Sequence, residues 1–112
     1  MISATLALVL IQASPAATEP PPGLQFGFFR MAAFRQRVKD LGCNRGQLDA
    51  ELEDLRKRLA ARYGKKAFSW PKIPNSGPGD CRSVEMVYRV NLVDFRKAVD
   101  TALAAPVAVQ GE

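Results

Sequence analysis

Histidine does not occur anywhere in this chain of 112 residues. Its absence excludes Ser-His and Cys-His nucleophile pairs, imidazole general bases and every metal site that uses a His ligand. Cysteine occurs only twice, as Cys43 and Cys81. In an oxidising compartment an even pair in a small domain reads as one disulfide, and its formation removes thiolate chemistry and thiolate-bound zinc as well. Long apolar runs are also missing: the one candidate, Ile2 to Ile11, falls well short of the roughly 20 residues a membrane-spanning helix needs. The glycine-rich stretch "GPGDC" at 77–81 lacks the lysine and the spacing of a phosphate-binding loop and marks a turn instead. Nothing in the chain calls for a cofactor or a metal, and no residue presents itself as catalytic; the sequence reads as a non-enzyme.

Carboxylates are the remaining candidates for acid–base work. Asp49 with Glu53, and Glu51 with Asp54, are spaced to meet on a helix, but bases follow them directly, so surface charge pairing is the expected role. Asp80, between Gly79 and Cys81, is placed to cap a helix rather than to donate a proton.

What the chain does contain is organised. Residues 1–16 combine the apolar run with the small residues Ser14-Pro15-Ala16, the shape of a secretory signal peptide, although only the amino terminus supplies positive charge ahead of the run. Export to a secreted or periplasmic location follows, and it supplies the oxidising compartment that the cysteine reading needs. Residues 17–23 are expected to form a proline-stiffened extended spacer, 24–105 the folded domain and 106–112 a flexible tail.

Within the domain, Leu24, Phe28, Met31, Phe34, Val38 and Leu41 recur every three or four residues and predict a first helix closed by Gly42. A second helix is written in Leu48, Leu52, Leu55 and Leu59, with Asn44 expected to cap it, Glu53–Lys57 and Asp54–Arg58 expected to pair along it, and Gly64 ending it. From Asp80 to Ala105, Val84, Val87, Tyr88, Leu92, Phe95, Val99 and Leu103 share one helical face, and Pro106 stops the run. The same segment also permits a strand over 84–92, which would give an α+β fold with a hairpin at about 67–90. Its length favours the helix, so the expected fold class is all-α: a small disulfide-stapled domain of three helices.

The disulfide dictates topology. Bonding Cys43 to Cys81 brings the start of the third helix within roughly 6 Å of the turn between the first two. The second helix meanwhile carries the chain nearly 30 Å away, at about 1.5 Å per residue. The stretch "KKAFSWPKIPNSGPGDC" from Lys65 to Cys81, with three prolines, must therefore act as a strap that returns the chain. The second and third helices then run parallel to each other and antiparallel to the first. Closing a loop of this size contributes about 3–4 kcal/mol.

Charge is the uneven feature. The formal net charge is +5, and seven bases stand between Arg56 and Lys72 with no acid among them, interleaved with Tyr63, Phe68 and Trp70. Bases beside aromatic rings suit anionic polymers or membrane surfaces, which cations neutralise and rings stack on. The plainer reading is a solvated basic face with Trp70 covering the core. The candidate binding surface comprises Arg58, Arg62 and Tyr63 at the end of the second helix, and Lys65, Lys66, Phe68, Trp70 and Lys72 on the strap. On the third helix Met86, Val90 and Val93 form a second apolar stripe, expected to lie under the strap or to meet a partner. The expected function is therefore a protein-interaction module outside the cytoplasm, such as an adaptor, an inhibitor or an envelope-associated factor. The alternative is a binder of anionic polymers or membrane surfaces.

Overall fold

A computed structural model describes residues 19–105 apart from Arg45 and Ser76. The proposed signal peptide and the tail at 106–112 lie outside the described residues. Three helices follow one another, α1 at Pro22–Asp40, α2 at Gly46–Tyr63 and α3 at Cys81–Ala104, and no strand occurs among the described residues. The hairpin alternative is thereby excluded: the whole of 81–104 is one helix, and its apolar residues at three- and four-residue spacing give it a buried face that a strand's alternation would have split.

Helix α1 starts inside the stretch expected to be extended. Pro22 occupies its first turn, where the missing N–H costs nothing, and the Pro21 carbonyl accepts from the backbone N–H groups of Leu24 and Gln25. At its other end Gly42 adopts φ +73, and the N–H groups of Gly42 and Cys43 donate to the carbonyls of Lys39 and Val38. That pair of bonds is a Schellman closure, and it delivers Cys43 three residues past Asp40 with a fixed direction. Helix α2 begins at Gly46, so Asn44 stands one residue short of the cap position assigned to it. Asp80 does cap α3, accepting from both the backbone N–H and the hydroxyl of Ser83 at 3.0 Å. The two caps place Cys43 and Cys81 with their Cα atoms 5.5 Å apart, joined by the expected disulfide.

Side-chain contacts set the helix directions. Going up α2, Asp49 meets Tyr88, Glu51 meets Arg96 and Arg58 meets Asp100, so α2 and α3 run parallel. Going up α1, Gly27 faces Phe95, Arg30 bonds Asn91 and Phe34 stacks on Tyr88, so α1 and α3 run antiparallel. The core takes Leu24, Phe28, Met31 and Val38 from α1, all four leucines of the α2 repeat, and Val84, Tyr88, Leu92, Phe95 and Val99 from α3. Val87, grouped by spacing with that last set, is 44% exposed instead, because it sits at the edge of the α3 face.

The strap takes a different course from the one expected. It lies in the groove between α1 and α2, which touch each other far less than either touches α3. Phe68 drops into that groove and is fully buried, its ring edge-on to Phe28 at 5.7 Å and tilted against Tyr63 at 6.0 Å. Gln25 and Arg56 hold the strap's carbonyls at Ala67 and Phe68, and Arg37 holds that of Pro78. Met86, Val90 and Val93 of α3 are consequently not covered by it.

Candidate interaction surfaces

The structure separates the eight residues grouped by sequence as a binding surface. Phe68 is core. Tyr63 is partly buried against it, and Trp70 packs on Phe28 with ring centroids 5.2 Å apart. The Arg35 guanidinium lies 4.0 Å from the centre of the Trp70 ring, with Arg56 further off at 5.7 Å. The Arg35 guanidinium therefore competes with any ligand for the indole, which is itself partly buried against the core.

The bases divide as well. Arg58 bonds Asp100 across to α3 at 3.0 Å, rather than Asp54 on its own helix. Arg62 donates to the carbonyls of Leu103 and Ala105 at 3.3 and 3.1 Å. Helix α3 has no base in its own last turn, and Arg62 supplies from a neighbouring helix the cation that its carbonyl end favours. Arg56 forms a two-pronged pair with Glu53 at 2.8 and 2.9 Å, displacing the expected Glu53–Lys57 pair, because the strap's carbonyl at Phe68 draws the guanidinium inward. The hydrogen bonds from Arg56, helped by the Trp70 indole, hold the Glu53 carboxyl below its ordinary range, and Glu53 in turn raises Arg56. Lys65, Lys66 and Lys72 remain exposed, two on the turn after α2 and one along the strap.

Asp49 and Glu53, the carboxylates that spacing along α2 sets together, take separate partners. Asp49 accepts a hydrogen bond from the fully buried Tyr88 hydroxyl at 2.9 Å, tying α2 to α3. Spacing along α2 suggests Glu53 as its neighbour; only the docking of α3 reveals the tyrosine. Among the described residues no group of three or more His, Cys, Asp or Glu side chains converges as a metal site would require, and no helix is long and apolar enough to cross a membrane.

Two features remain open to solvent. One is a cleft of about 630 Å³ between the first half of α1 and the second half of α3, floored by Leu24, Gly27, Phe95 and Ala102 and bridged at one end by the Arg30–Asn91 bond. The other is apolar surface on the outer sides of the same two helices. Phe26 and Phe29 are 65% and 49% exposed on α1, and Met86, Val90 and Val93 are 61%, 57% and 49% exposed on α3. The two phenylalanines are three residues apart and off the core stripe of α1, so the three-and-four spacing that marks the buried face does not include them. No family model, curated protein or solved structure matches the chain.

Proposed function

We propose that this protein is an exported, disulfide-stapled helical interaction module whose contact surface is the outer face of α3. The observation that carries the reading is that face's composition: a run of large apolar side chains, each about half or more exposed, on a helix that already buries a complete second face. Exposed apolar stretches of this kind mark association surfaces. The disulfide supports export, since such bonds persist in oxidising compartments. The basic cluster is not taken as the leading surface, because Arg56, Arg58 and Arg62 are engaged within the fold, Phe68 is buried and Trp70 packs against the core.

A photo-crosslinking residue at Val90, compared with one at Lys57 on the exposed side of α2, tests the reading in the cells that make the protein. Adducts from position 90 and none from position 57 are the expected result. The absence of any adduct at position 90 would remove α3 as a contact surface. A second reading, binding to anionic polymers or membrane surfaces, is favoured by the exposed Lys65, Lys66 and Lys72. Such binding falls steeply as salt rises from low to physiological strength, whereas an apolar helix contact does not.

A further inference from the structure

Exposed residues on α3 follow a heptad rhythm: Met86, Val90, Val93 and Lys97 are spaced by four, three and four, the alternation of d and a positions in a coiled coil. At 3.6 residues per turn these four point away from the core stripe of Val84, Tyr88, Leu92, Phe95 and Val99. We propose that this face pairs with the same face of a second copy of the chain, as a parallel two-fold coiled coil, a partner assignment that rests on the interaction surface described above.

Charge fixes the direction. With Val90 at a and Val93 at d, Arg89 falls at g and Asp94 at the following e, the two positions that meet across a parallel pair. Both side chains are exposed, and neither enters an ion pair among the described residues. A parallel dimer forms the Arg89–Asp94 contact twice. An antiparallel one places Arg89 opposite Arg96 of the second copy, which is already paired with Glu51, and Val87 opposite Asp94, so the Arg89–Asp94 attraction is lost on both flanks. Valine at an a position suits two strands, and a single lysine at another, Lys97, fixes register at some cost in affinity. Val87, which flanks Met86 and Val90 on the α1 side, widens the apolar strip. The strip is only about two heptads long, so the interface belongs to the small class below about 1,200 Å² of total area, and an equilibrium between monomer and dimer is expected rather than a permanent pair.

Sedimentation equilibrium of the full chain over a wide concentration range measures this directly. The expected result is an average mass rising from one chain toward two. Arg89→Asp or Asp94→Arg alone replaces two attractive contacts with two repulsive ones and is expected to weaken the dimer about tenfold or more, while the combined swap restores it to near the original value. Val93→Cys, at a d position, is expected to form an interchain disulfide on mild oxidation because only the parallel register sets 93 against 93. A single-chain mass throughout, a dimer indifferent to the charge swaps, or a dimer that fails to crosslink at 93 would each overturn the pairing. If the chain stays monomeric while position 90 still crosslinks to another protein, the second copy fails as partner and the α3 contact surface stands; with neither dimer nor adduct, both fail.

Discussion

Replacing both cysteines by serine isolates what the cross-link contributes. Cys43 and Cys81 are half-buried, so the substitution gives up little packing and the measured change reports mainly the lost constraint. The bond spans 38 residues of sequence, and the chain-entropy relation for a loop of that length gives about 4 kcal/mol at 25 °C. A domain of this size holds about 5–10 kcal/mol in all, so roughly half its stability is at stake, and Tm should fall by roughly 15–30 °C. Because the effect acts on the unfolded chain, which expands when released, the urea m-value should rise together with the loss. Urea and thermal unfolding followed by far-UV circular dichroism, on the oxidised protein and the double serine variant, gives all three quantities. A loss under about 1 kcal/mol with an unchanged m-value would refute the reasoning. It would mean that the packing of Phe68 and Trp70 and the Arg37 bond already confine the strap in the unfolded ensemble as tightly as the disulfide does.

Other perturbations test the remaining contacts. Phe68→Ala empties a fully buried site between α1 and α2 and should cost about 3–5 kcal/mol, read by urea unfolding; a near-neutral result would place Phe68 outside the core. Glu53, whose carboxyl is depressed chiefly by hydrogen bonds from Arg56, contributes stability that is present above its unfolded-state pKa and lost as pH falls through its lower folded value. Glu53→Gln should therefore flatten the acid side of a Tm-against-pH curve while leaving the neutral side's slope unchanged. Arg62→Gln removes the cation from the carbonyl end of α3 and should cost about 1–2 kcal/mol, with faster amide exchange confined to the last turn before Ala105. Tyr88→Phe leaves Asp49 without its buried donor and should cost about 1 kcal/mol or more, and more than Tyr63→Phe, since Tyr63 contributes through its ring against Phe68.

The division between what was legible and what was not follows the range of the forces involved. The middle of each helix and some of its ends come from local rules: the spacing of the α2 leucines, the left-handed Gly42 and the Asp80 cap each act within five residues and were legible, whereas the starts of α1 at Pro22 and α2 at Gly46 were not. The disulfide was legible too, because two cysteines allow one pairing, and the parallel course of α2 and α3 followed from it by chain length. Which partner an arginine takes is a different kind of question. Arg56 chooses Glu53 over solvent because a strap carbonyl arrives beside it, Arg58 reaches Asp100 because α3 lies alongside, and Arg62 closes a helix more than 40 residues away. Each outcome depends on surfaces that exist only after the helices dock. The same holds for the aromatic residues of the strap: composition made Phe68 and Trp70 look like part of a basic–aromatic surface, whereas the open groove between α1 and α2 took them inside. The strap, once seated there, left Met86, Val90 and Val93 facing outward. Sequence periodicity showed that α3 carries two apolar stripes, and only the tertiary packing decided which of them stays in contact with water.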